Sequence, residues 1–140
     1  MGKTYYFVLI LFLVCCFIFN VALHEFGHYL GALYFELNPS FELDFVKYGN
    51  ANYGLAGFSV ASTSFDIPDF VEEEAFVILL GPFMNLILCF IFSVLLVYEK
   101  KNYDLRFIFI LGSITSIVSF FMNLIPIEGN DGWHLFRLLN

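Results

Sequence analysis

Three stretches of this chain carry no Asp, Glu, Lys, Arg or His: Thr4 to Leu23, Ala75 to Tyr98 and Phe107 to Ile127. Each reaches the roughly 20 residues that an α-helix needs to cross a hydrocarbon core about 30 Å thick. Lipid offers no hydrogen bonds to the backbone, so a lone apolar segment can cross only as a helix. Of the 140 residues, 60% are hydrophobic and 14% charged, against roughly a quarter charged in soluble domains. Three spans in so short a chain leave room for one unit and no separate soluble module. The expected fold is an all-α polytopic membrane protein, a single domain over residues 1–140 with helices at about 5–35, 75–98 and 106–126.

The connection between the first two spans adds a small β element to that plan. From Phe41 to Phe45 apolar and acidic residues alternate, the period of a strand. Gly49 to Gly54 reads as a turn, and Leu55 to Thr63 as a returning strand, so a hairpin is expected over about 41–62. Asn38-Pro39-Ser40 is expected to stop the first helix, because Pro39 has no amide donor and restricts the residue before it.

Charge excludes one class of partner. The net charge is -7, and eight acids between the first two spans (Glu36, Glu42, Asp44, Asp66, Asp69, Glu72, Glu73, Glu74) face one base, Lys47. Nucleic acid is therefore not an expected partner. Glu72 to Glu74 suit the positive end of a starting helix. Cys15, Cys16 and Cys89 lie within apolar spans, where thiols act as small hydrophobes, and none has a zinc-binding spacing. Lys3 followed by an apolar run looks like a signal sequence, but no small-residue cleavage site precedes the polar motif in the same helix, so an uncleaved anchor is expected.

That motif is His24-Glu25-Phe26-Gly27-His28. On a helix, residues four apart share a face, so two imidazoles can grip one Zn²⁺ while the adjacent carboxylate reaches a water on it. Catalytic zinc takes three protein ligands and leaves one position open. In an up-down-up path the end of the third helix returns to the membrane face of the motif, which puts Asp131 in place as the third ligand. Glu128 is the next choice, and the acidic connection and His134 are weaker ones. Asn85, in Gly81-Pro82-Phe83-Met84-Asn85, places an amide inside a span and needs a partner: either another helix or the metal site.

Taken together, His24-Glu25-Phe26-Gly27-His28, Gly81-Pro82-Phe83-Met84-Asn85 and Asn123-Leu124-Ile125-Pro126 followed by Asp131-Gly132 resemble the site-2 protease family of intramembrane zinc metalloproteases, in the same order and over almost the whole chain. The resemblance implies one Zn²⁺ per chain on His24, His28 and Asp131, with Glu25 as catalytic acid/base and Asn85 near the site. Asn130 and Trp133 stand where the family often has Leu and Gly, and neither is a proposed ligand. The implied activity is hydrolysis of a peptide bond in or near a transmembrane segment or signal peptide, and the implied setting is the cell membrane of a prokaryote. The alternative is a catalytically silent zinc-containing membrane binding module, against which an intact Glu25 argues, since a purely structural site needs no base. The basic residues Lys3, Lys100, Lys101 and Arg106 share one face, which the positive-inside rule assigns to the cytoplasm. The family resemblance implies the opposite, with the active site toward the cytoplasm.

Overall fold

A computed structural model describes residues 3–42, 62–66, 68 and 70–140. Four helices and one two-stranded sheet follow in the order α1 (Lys3–Tyr34), β1 (Ser40–Glu42), β2 (Ser62–Ser64), α2 (Val71–Tyr98), α3 (Tyr103–Leu124) and α4 (Asp131–Leu139). Tyr6–Tyr34, Val71–Tyr98 and Tyr103–Leu124 are each long and apolar enough to cross a membrane. At 1.5 Å per residue, the 29 residues of the first run to about 43 Å, longer than a minimal span. The fold is thus a three-span membrane bundle. Its outer faces carry exposed Phe7, Ile10, Phe90 and Val97, as expected where the neighbour is lipid rather than water.

Glycine lets the helices approach. A Cβ at Gly27 would meet the Leu80 carbonyl and the Met84 side chain, and one at Gly31 would meet Val77 and Leu80. As α1 advances from 27 to 31 its contacts on α2 recede from 84 to 77, so the two helices are antiparallel and cross through this pair of glycines. At the other end of α2, Gly112 of α3 lies against the Phe92 ring, and Ser93 and Ser113 approach to 3.4 Å. Helix α2 is therefore the middle element. Helices α1 and α3 flank it and leave a cavity between them.

Helix α1 ends before Asn38-Pro39-Ser40. Glu36 adopts a left-handed φ of 58°, its N–H donates to Leu33 O, and the Leu37 N–H donates to Ala32 O at 2.9 Å. This is a Schellman closure with Glu36 where glycine is usual. Pro39 lies beyond the stop rather than causing it.

The sheet pairs Ser40 with Ser64, Phe41 with Thr63 and Glu42 with Ser62, antiparallel. These are the two ends of the expected hairpin; its turn and the remainder of both strands lie outside the described residues. The pair is fastened to α1. Phe41 packs edge-on to Phe26 and Tyr29, with ring centroids 6.2 Å away in each case. The Thr63 hydroxyl donates to the Glu25 carbonyl at 2.8 Å. The base of the sheet is thereby held beside the His-Glu-His turn.

Helix α4 extends the sequence reading, which left the tail without an element. Gly129 takes a φ of 96°, a conformation for which glycine is suited. Asn130 Nδ2 donates to Met122 O at 2.8 Å. The turn plants Asp131 at the start of α4, where a carboxylate suits the helix dipole. Gly132 is buried against the Leu124 carbonyl, leaving no room for a side chain.

Candidate metal centre

Two elements, α1 and α4, bring the proposed ligands together. His24 and His28, four apart on α1, are buried, with rings at right angles and centroids 4.7 Å apart. Their Nε2 atoms lie 3.2 Å apart. Asp131, delivered by the start of α4, straddles them: Oδ2 is 2.9 Å from His24 Nε2 and Oδ1 is 3.3 Å from His28 Nε2. Donors on a tetrahedral metal with bonds of 2.0 to 2.2 Å stand about 3.3 to 3.6 Å apart, so the observed spacings fall within a few tenths of an ångström of a shared ion. Glu25 belongs to the same group, since His24, Glu25 and His28 offer ligand atoms within 4.8 Å of one another. The group could hold a metal ion.

The Asp131 carboxylate supplies a test of fit. Its Oδ2 is buried and makes no hydrogen bond among the described residues, although His24 Nε2 is only 2.9 Å away. A buried carboxylate oxygen this close to an imidazole nitrogen, and otherwise without a partner, sits where a shared cation would satisfy both. Burial pushes the Asp131 carboxyl upward, but the His24 and His28 imidazoles beside it outweigh burial and hold it at about 2. The ligand is therefore anionic at neutral pH. Glu128 and His134, the other third-ligand choices, are exposed.

Support comes from behind the imidazoles. His28 Nδ1–H donates to the Val77 carbonyl at 2.8 Å, which leaves the Nε2 lone pair facing Asp131. His24 Nδ1 meets two carboxamides, Asn85 at 3.3 Å and Asn123 at 3.2 Å. Asn85 is 1% exposed and its Oδ1 has no hydrogen-bond partner among the described residues. A half-turn of that carboxamide would offer the oxygen to a proton on Nδ1, the tautomer a metal on Nε2 requires. Asn85, placed near the site by the family resemblance, thus touches a proposed ligand rather than open space. Asn123 stood in the sequence reading as part of a motif without a role; its eight-residue offset from Asp131 was the available signal, and the α3–α4 turn is what joins the two.

Gly81 completes the pocket. A Cβ there would overlap His28 Nε2 and come within 2.9 Å of His24 Cε1. The α2 backbone is the wall on which both rings rest.

No family model matches this chain, and neither characterised proteins nor solved structures yield a match. What the site can do follows from its own groups. Two imidazole nitrogens and a carboxylate form a three-donor set with one side open, and a half-buried carboxylate, Glu25, stands next to it. The open side faces a cavity of about 590 Å³ lined in part by His24, Glu25, Asp131 and Asn123, and by Phe17, Val21, Ile114 and Val118 farther along the spans.

Proposed function

We propose that this chain is a zinc-dependent intramembrane endopeptidase, hydrolysing a peptide bond in or near a transmembrane segment or signal peptide. The observation that carries the reading is the convergence of His24, His28 and Asp131 beside Glu25 at the end of a cavity within the spans. A structural zinc site usually has four protein ligands, whereas a catalytic one has three and an open position. The N,N,O donor set suits zinc, and one ion per chain is implied. When bound, zinc would polarise the scissile carbonyl and acidify a water.

The chain's own residues supply the rest. Glu25 takes a proton from the attacking water and returns it to the leaving amine. Asp131 brings a negative charge to the ligand set, and Val77 and the Asn85–Asn123 pair hold the two rings. The cavity wall of Phe17, Val21, Ile114 and Val118 suits an apolar segment that comes from the bilayer. The sheet base beside Glu25 is suited to guide an extended chain toward the site. On the family resemblance, the bilayer is the cell membrane of a prokaryote.

The test is co-expression with candidate single-span proteins, comparing wild type with Glu25→Gln, and metal analysis of both purified forms. Glu25→Gln should retain zinc and lose about 10²- to 10⁴-fold in cleavage, the usual contribution of a general base. Full turnover by Glu25→Gln would remove the general base from the mechanism. A wild type that keeps zinc and cleaves no candidate would favour a silent binding module.

A further inference from the structure

Asn20 lies one turn before His24 on α1, is 1% exposed and lines the same cavity. Its Nδ2 donates to Cys16 O at 2.9 Å, but its Oδ1 has no partner among the described residues. An amide oxygen kept unpaired inside a span is costly unless something else binds there. Across the cavity, Thr115, Ser119 and Asn123 recur every four residues on one face of α3. The Thr115 hydroxyl spends its proton on Leu111 O at 2.8 Å, which leaves its oxygen free to accept. Two polar ladders, Asn20–His24 and Thr115–Ser119–Asn123, therefore face one another from the interior of the bundle to the metal centre.

We infer that this α1–α3 groove binds the substrate segment in unwound form, with Asn20 Oδ1 as a positioning acceptor for its main-chain N–H groups. The inference rests on the protease reading and adds to it how the segment is held. Unwinding inside lipid leaves peptide N–H groups without partners, and acceptors spaced along a groove replace the lost helical carbonyls. The α3 ladder spans about 12 Å at 1.5 Å per residue, enough for about four extended residues at 3.3 Å each. Apolar Phe17, Val21, Ile114 and Val118 supply the flanking surface for side chains. An acyl chain would use that surface but has no donor for Asn20.

Capture of a probe tests the groove independently of cleavage. The protein carries Glu25→Gln, with Cys15, Cys16 and Cys89 replaced, and a benzophenone is attached at Ser119→Cys in the groove or at Phe90→Cys on the exposed face of α2. The probes are Leu/Ala peptides of about 24 residues, long enough to span a vesicle bilayer, with or without a central Gly-Gly-Ser-Gly interruption. The interrupted peptide should be captured from position 119 well above position 90 and above the uninterrupted peptide. Asn20→Leu should reduce that capture about fivefold, the worth of one hydrogen bond, with zinc content unchanged. Thr115→Val should reduce it in the same direction, and it decides the matter if Asn20→Leu fails to fold. Capture unaffected by the folded variants, equal capture from positions 119 and 90 as a lipid-filled groove would give, or no capture at position 119 overturns the inference. Capture with the expected dependence, while the wild-type protein cleaves neither peptide, supports the groove and counts against the protease reading alone.

Discussion

Gly81 lies against the His28 imidazole so closely that a methyl group in its place would overlap Nε2. The contact is between a helix backbone and the imidazole tip of a proposed metal ligand, whose ring is anchored by its 2.8 Å hydrogen bond to the Val77 carbonyl. Gly81→Ala should therefore push the ring off its Val77 anchor, at a cost of about 1 to 3 kcal/mol typical of overpacking. Expected is at least a tenfold loss in zinc affinity with the helical content retained. Metal competition with a chromophoric chelator, alongside circular dichroism, measures both; unchanged affinity would show that His28 has room to move.

The third ligand is open to a direct comparison. Asp131→Ala should weaken zinc binding severely, because it removes the only carboxylate seen bridging the two Nε2 atoms among the described residues. Glu128→Ala and His134→Ala, at exposed positions, should leave it unchanged. Zinc content of the three purified variants separates the candidates. A normal metal content in Asp131→Ala would contradict the convergence described above.

Asn85 and Asn123 share one atom, His24 Nδ1, so their effects should not add simply. Either carboxamide can orient the ring while the other is missing. Asn85→Ala and Asn123→Ala should each cost less in zinc affinity than half the loss of the double variant, which should reach the 10- to 100-fold range typical of supporting partners. Additive losses measured in the same competition assay would mean that the two amides act separately.

The spans were legible because lipid allows so few solutions: uncharged runs of sufficient length have to be helices, and α2 and α3 begin within four residues of their expected starts. The His24–His28 pair was legible from spacing on a helix alone. The end of α1 was legible to within a residue, at Tyr34, but not its cause: a Schellman closure at Glu36 has no glycine to announce it, and Pro39 lies beyond the stop. Helix α4 was missed because nine residues with Gly132 near their start have weak local propensity; packing on the end of α3 decides it. Asn20 showed only as one more residue of an uncharged run. Its meaning depends on Thr115 and Ser119, about a hundred residues away, and on the cavity between them.

At the far end of the bundle, Glu99 accepts hydrogen bonds from the backbone N–H groups of Asn102, at 2.9 Å, and Lys101, at 3.0 Å. These donors favour the ionised form and lower the Glu99 carboxyl below its ordinary value. A depressed carboxyl stabilises the fold above its unfolded value, and the benefit is lost as pH falls through the lowered folded value. Glu99→Gln should accordingly melt earlier than wild type at neutral pH, and the two should converge in acid. Thermal melting in detergent across that range checks the sign; a gap that widens on acidification would reverse it.

Helices α1 and α2 are antiparallel and α3 follows α2 through a short connection, so the ends of α1 and α3, the start of α2 and all of α4 lie toward one face, with Lys100, Lys101 and Arg106 toward the other. The basic cluster favours a cytoplasmic connection by the positive-inside rule, but it counts only a few residues, and acids weigh little in that rule. On the protease reading proposed above, the family resemblance implies the opposite, with the metal on the inner side. We expect the metal face toward the cytoplasm. With the native cysteines replaced, Asn102→Cys should react with an impermeant thiol reagent in intact cells, and Glu128→Cys should react only after permeabilisation. The reverse pattern would invert the protein in the bilayer and leave the site's geometry standing, whereas labelling of both positions from the same side would contradict three spans altogether.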